Sequence, residues 1–359
     1  MDKVRFGDVV KRVNIYVDRF NTDRLYYVGK GGSIEPDALD IKPQAKIEGA
    51  TIGFKFHFGF EPGHILFMSR CFDQHKAATA TFRGVCSDST YVVETRDNNV
   101  LLQQYLQLVM QTDDFWNWCE EHKSGGVNFL INYSTLETYE FDLPSIEEQK
   151  VLAEKLWAAY KVKESYRQLL STTDEMLKAK FQEMFDFQDL DLTNPTNDFD
   201  KYCFDATSSA TKIPAGNYLD EGKYAIYDQG QEKDIAGFTN TEDGVNKDYP
   251  VILFGDHSRV IKFINEPFFI GADGVKIIRV KDEKTLLPYF LFYDLLYHNI
   301  PNTGYNRHFK YIKMLKLTVP PMEDQQQFAE IATQAEATKT SLRASIEAID
   351  RVIRSLINQ

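Results

Sequence analysis

Apolar positions along this chain follow two rhythms. Two long stretches keep a three-four alternation. After Pro144 it runs through Leu152, Leu156, Ala159, Tyr166, Leu170, Met176 or Leu177, Phe181 and Met184. After Pro320 it returns with Phe328, Ile331, Ala335, Leu342, Ile346, Ile349, Ile353 and Leu356. Such spacing puts the apolar residues on one helical face and buries them against a partner helix. About 40 residues at 1.5 Å rise make a rod of roughly 60 Å. Two rods with narrow apolar seams bury them most simply against each other; the alternative is two unrelated surface helices on separate cores.

Elsewhere the apolar runs are short. TIGFKFHFGF (51–60), STYVVE (89–94), YPVILFGD (249–256), RVIKFI (259–264) and VKIIRV (275–280) are alternating or β-branched runs bounded by Gly, Pro and Asp, which predicts strands. VLLQQYLQLVM (100–110) and LLPYFLFYDLLY (286–297) have helical periodicity. Many short strands with few helices predict an α+β fold.

The two long helical patterns open alike, with FDLPSIEEQ at 141–149 and LTVPPMEDQ at 317–325. Pro near the first turn and acidic residues behind it suit a helix start, where orphan N–H groups and the dipole favour negative charge. The likeness extends upstream as an internal repeat. Ile65-Leu66-Phe67 answers Ile252-Leu253-Phe254, and Asp88 with Tyr91-Val92-Val93 answers Asp273 with Lys276-Ile277-Ile278. Leu101-Leu102 answers Leu286-Leu287, and Gly125-Gly126-Val127-Asn128 answers the NTGYN of 302–306. The expected organisation is therefore a domain at 1–143, a helical region at 144–187, a second domain at 188–319 and a second helical region at 320–359. Each domain should end in one helix and a loop, and residues 185–200 form an acidic linker.

At 359 residues two domains are expected. No apolar run approaches the 18 residues of a membrane span, and the N-terminal residues lack a leader's apolar core. Four scattered cysteines (Cys71, Cys86, Cys119, Cys203) fit reduced thiols, so a cytoplasmic protein is expected. The net charge of −12 argues mildly against a nucleic-acid partner without excluding one, since Lys and Arg can gather on one face of an acidic protein.

Catalytic motifs fail. Residues 216–223 (GNYLDEGK) lack phosphate-loop spacing, and no G-x-S-x-G occurs. Asn194-Pro195-Thr196-Asn197 and Pro36-Asp37 with Asp40-Ile41-Lys42 are fragments of methyltransferase and nuclease signatures at best. His57, His64, Cys71 and His75 fit no compact zinc knuckle, so no metal site is expected. What remains is a polar, basic population in matching loops. It comprises Lys55, Arg70, His75, Lys76, Arg83 and Asn128 in the first half, and Gln229, Gln231, His257, Arg259, Lys262, Asn306, Arg307 and His308 in the second. Arg can fork onto guanine, Asn and Gln can pair with adenine, and Lys suits phosphate. A DNA-binding role and a purely protein-binding scaffold both remain open on these residues alone.

Together these features resemble the specificity subunit of a type I restriction–modification enzyme. The resemblance rests on LPSIEEQKVLAEKL (143–156), VPPMEDQQQFAEIA (319–332), PGHILFMSR (62–70) with FRGVCSDSTYVV (82–93), and LFGDHSRVIKF (253–263) with FFIGADGVKII (268–278). It implies two target-recognition domains on an antiparallel coiled coil, each reading one half of a bipartite, asymmetric double-stranded DNA site. It implies that the chain does no chemistry and holds no cofactor. Methyltransferase subunits, two per chain and using S-adenosylmethionine, would sit on the helices, and a restriction subunit could join. The helix-pair and partner interface would then be Leu152, Leu156, Tyr166, Leu170 and Phe181 with Phe328, Leu342, Ile346, Ile349 and Ile353.

Overall fold

The computed structural model describes residues 2–19, 21–29, 33–271 and 274–358. Asp273, which the repeat matches to Asp88, lies outside them. The chain divides into two compact units, residues 1–168 with 342–359, and residues 169–341. The division cuts both long helices, Ile146–Met184 and Met322–Ile357, so each unit owns part of each.

In the first unit two five-stranded sheets face each other. One has the order Ile15–Tyr16, Phe56–Phe60, Gly84–Ser87, Tyr26–Val28, Ala45–Lys46; the other has Val10–Arg12, Thr90–Thr95, Ile65–Met68, Ala77–Ala80, Asp40–Ile41. The strand Ile65–Met68 is buried on both faces, and the two-residue period of a strand divides it between two cores. Leu66 and Met68 point between the sheets with Val28, Phe58, Phe60 and Val92. Ile65 and Phe67 point to the helices, joining Phe115, Leu156, Tyr160 and Ile353. The second unit repeats this with four-stranded sheets. Val251 and Leu253 lie between them, while Ile252 and Phe254 pack with Phe181, Phe290 and Phe328. Ile65 thus corresponds to Ile252, in the register of the repeat.

Within each unit the long helices run antiparallel. In the first, Lys163 pairs with Asp350 while Leu156, earlier on its helix, shares a core with Ile353, later on the other. In the second, Asp174 bonds Lys339, and Phe181 meets Phe328 with ring centroids 4.9 Å apart. Leu156, Phe181 and Phe328 are fully buried, and Leu342 and Ile353 nearly so. Leu152 and Ile349 pack against the first unit's core, and Tyr166, Leu170 and Ile346 are half-buried. Of the ambiguous pair Met176 and Leu177, Leu177 is buried at 1% and Met176 is 58% exposed.

Three local expectations change. The first domain carries an additional helix, Asp113–Glu121, whose first turn is capped by Thr112 Oγ1 accepting from Phe115 N at 3.1 Å. The strand expected over 51–60 is confined to Phe56–Phe60, leaving Phe54 exposed. The long helices also begin differently. Ser145 and Glu148 form a reciprocal cap, with Ser145 N donating to Glu148 Oε2 at 2.9 Å. The second helix has Pro321 in place of that serine, and Asp324 N bonds Pro321 O at 3.1 Å. The acidic linker is pinned by Thr196, whose hydroxyl donates to Leu315 O at 2.5 Å.

Candidate nucleic-acid interface

In both units several of the polar candidates gather at the end of the central strand. Ser69 follows Ile65–Met68, and its carbonyl accepts from Ile131 N at 3.0 Å, closing loop 124–130 against it. Asp256 follows Val251–Gly255, and its carbonyl accepts from His308 N at 2.8 Å, closing loop 301–307 in the same way. One backbone bond therefore sets each loop beside the turn leaving its central strand.

In the second unit this assembles a continuous group. Gln229 Oε1 accepts from His257 N at 3.2 Å, and Gln231 Nε2 donates to Ser258 O at 2.8 Å, tying loop 228–236 to the turn 256–260. His257 Nδ1 lies 3.2 Å from Asn306 O, and its ring stacks on Tyr305 with centroids 4.5 Å apart. Arg259 has a left-handed backbone (φ 65°) and donates to Ile300 O at 3.0 Å, bracing the start of the same loop. Asn306 donates its amide to Thr303 O, and Arg307 is exposed with no partner among the described residues.

In the first unit the grouping is looser. Ser69 Oγ donates to Ser89 O at 2.8 Å, and Asp88 N bonds Lys55 O at 3.1 Å, bringing Lys55 and the hairpin 87–90 to the same end as Arg70 and Asn128. Lys55 faces Asp88 at 3.7 Å, while Arg70 is exposed and unpartnered among the described residues. Loop 124–130 is closed by reciprocal bonds between Ser124 and Leu130. Its turn needs Gly125, whose φ is 107° and where a Cβ would sit 2.7 Å from Asn128 O. His75 stacks on Trp116 at 4.8 Å and its Nδ1 lies 2.9 Å from Asp37.

Four candidates do not present their side chains in these groups. Lys262 is buried and donates to the carbonyls of Lys233 and Asp234 at 2.8 and 3.0 Å, and burial pulls its ammonium below the ordinary lysine value. His308 is fully buried, with Nδ1 2.9 Å from Asp256 O. Lys76 is buried too. Lys262 and His308 shape their loops from beneath, through backbone partners that a sequence does not reveal. Arg83 precedes Gly84–Ser87 whereas Asp88 follows it, so a strand length of about 13 Å separates it from the group. It pairs instead with Asp23 and Glu61 at 2.8 and 3.6 Å. Ser69, Ser258 and Tyr305 stand in the same groups and were not among the candidates; only the NTGYN repeat pointed to Tyr305.

The fragments of other motifs serve structure. Asp40 accepts from Tyr160 OH at 2.8 Å and Lys42 pairs with Glu164 at 2.5 Å, fixing that strand to the first long helix. Among the described residues no three His, Cys, Asp or Glu side chains are grouped to hold a metal ion, and no helix is long and apolar enough to cross a membrane. A cleft of about 1210 Å³ in the first unit is rimmed by Asp113, Asp114, Glu147 and Glu148, the wrong sign for phosphate.

Residues 204–351 match the family described as the type I restriction modification DNA specificity domain. Over 99% of this chain and 94% of that one, the structure is similar to a type I restriction-modification system S subunit from M. genitalium, with a TM-score of 0.57 at 14% identity. It is also similar, over 99% and 96% at a TM-score of 0.50 and 17% identity, to a chain from a study of complex assembly and conformational transition of the type I R-M system. No curated protein sequence matches. The family match thus falls within the second half of the chain, and the fold over the whole length is similar to that of these type I restriction-modification subunits.

Proposed function

We propose that the chain is the DNA-recognition subunit of a type I restriction–modification complex, with each unit reading one half of a bipartite, asymmetric site. The observation that carries this is the doubled loop junction, Ile131 on Ser69 and His308 on Asp256, which sets polar and basic side chains at the same end of each duplicated sheet. Arg70 and Arg307 offer guanidinium donors that no carboxylate of the described residues neutralises. Exposed Glu232 and Asp234 near the second group would repel phosphate, so binding there should depend on base contacts as well as on charge.

In this reading the chain performs no chemistry. Methyltransferase subunits, two per chain, dock on the long helices and use S-adenosylmethionine themselves; a restriction subunit can join, and the complex works in the cytoplasm. The test is to map methylation in cells carrying the methyltransferase with the intact chain, then with residues 228–236, 256–260 and 301–307 replaced by a relative's loops. One half of the site should change and the other persist. A site that changes in both halves, or in neither, would overturn the division of labour. A scaffold that does not touch DNA predicts affinity for DNA no greater than the partner's alone and no steep loss with salt.

A further inference from the structure

Val127 and Tyr305 are the two most exposed large apolar side chains among the described residues, at 94% and 88%. They occupy matching places. Each lies in the loop that closes onto the residue after its unit's central strand, four residues before Ile131 in one case and three before His308 in the other. Each follows a left-handed or flexible glycine neck, Gly125-Gly126 before Val127 and Gly304 (φ 77°) before Tyr305. Tyr305 is held in direction by its stack on His257, 4.5 Å between centroids and 5° between planes. Polar candidates flank both tips: Asn128 beside Val127, and Asn306 and Arg307 beside Tyr305.

An isopropyl group has no donor for a phosphate, and Tyr305, although its hydroxyl is a donor, presents a ring 88% exposed and fixed in direction, so both tips suit an apolar partner at the recognition end. The edges of the bases in the major groove present one such group, the C5-methyl of thymine. Resting on the DNA-recognition reading above, we infer that Val127 and Tyr305 each read a thymine, one in each half-site, by packing against its methyl group.

The experiment uses the chain assembled with its methyltransferase partner on the site found by methylation mapping. Each thymine is replaced singly by uracil, which removes only the methyl. One replacement in each half-site should lower affinity about fourfold, the worth of one buried methyl group. Val127→Ala should abolish the penalty of uracil in its own half-site and leave the other half untouched, and Tyr305→Ala should do the reverse. Both side chains are solvent-exposed, and circular dichroism of the variants controls for folding. A half-site without thymine, uracil replacements that cost nothing, or variants whose loss is the same on every sequence would overturn the inference. So would 2-aminopurine fluorescence showing bases unstacked at the tips with uracil tolerated, which marks a wedge instead. If the wild-type complex shows no preference for any DNA sequence, it is the recognition reading that fails.

Discussion

Gln149 and Gln325 make the same three hydrogen bonds. Gln149 donates to Val100 O and Pro144 O, each at 2.9 Å, and accepts from Leu102 N at 2.9 Å. Gln325 donates to Thr285 O and Pro320 O at 2.9 and 2.8 Å and accepts from Leu287 N at 2.9 Å. Both are fully buried. Each bolts the start of a long helix to the backbone entering the shorter helix of its own unit. The Pro-acidic-Gln signature is thus a structural joint used twice.

Gln325→Leu would fill the space but strand two carbonyls and an N–H away from water, at about 1–3 kcal/mol for each group that stays unpaired. A loss of about 2–4 kcal/mol is expected in urea unfolding, with Gln149→Leu similar. Gln325→Glu should also destabilise, because a carboxylate cannot donate to Thr285 O and Pro320 O. A change below about 0.5 kcal/mol would show that water replaces the amide.

The same duplication places a lysine in each seam. Lys163 follows Gln149 by 14 residues and Lys339 follows Gln325 by 14, and both are buried against an aspartate of the other helix. Lys339 has Asp174 at 2.5 Å and Glu336 at 2.8 Å; burial pulls its ammonium down, but these bonds outweigh it and hold the value above the ordinary one. Lys163 pairs with Asp350. Asp350→Ala should therefore cost more, about 1–3 kcal/mol after allowing for partial exposure, than Asp174→Ala, where Glu336 remains. Lys163→Met should be near neutral or stabilising in thermal unfolding.

Asp294 and His298 form a buried pair one turn apart, with Oδ1 3.9 Å from Nε2. Burial pushes Asp294 up to about 7, although Thr318 N bonds its other oxygen at 3.1 Å. Burial pulls His298 down to about 4, against the opposing pull of Asp189. The raised carboxyl gives stability that is complete below about 3.8 and lost as pH rises through 7. The depressed imidazole gives stability that is complete above about 6.5 and lost as pH falls through 4. The two slopes cancel between about 4 and 6.5. His298→Gln should then lose stability as pH rises from 4 to 7, by up to about 1.4 kcal/mol per unit, and Asp294→Asn should lose it as pH falls from 6.5 to 4. Urea midpoints across this range check the signs.

Arg259 and Arg307 should behave differently despite their proximity in sequence. Arg259 braces Ile300 O, so Arg259→Ala should weaken recognition of a whole half-site. Arg307 has no partner among the described residues, so Arg307→Ala should cost about 1–3 kcal/mol at one base pair, read by binding to singly substituted sites. Uniform weakening with a salt slope reduced by about one would make Arg307 a phosphate contact.

Periodicity by itself determined the two long helices and the short strands, because apolar spacing follows from the 3.6 and 2.0 residue repeats of helix and strand, and the internal repeat determined the duplication and the match of Ile65 to Ile252. The resemblance carried by the Pro-acidic-Gln starts pointed to the family whose domain residues 204–351 match. Tertiary structure decided what periodicity leaves degenerate: which of Met176 and Leu177 faces inward, and that Lys262 and His308 turn under their loops while Arg307 stays outside. It also decided that Gln149 and Gln325, polar in the sequence, are buried. Those outcomes depend on backbone carbonyls and amides brought close only by folding, and one residue's identity does not encode a partner dozens of positions away.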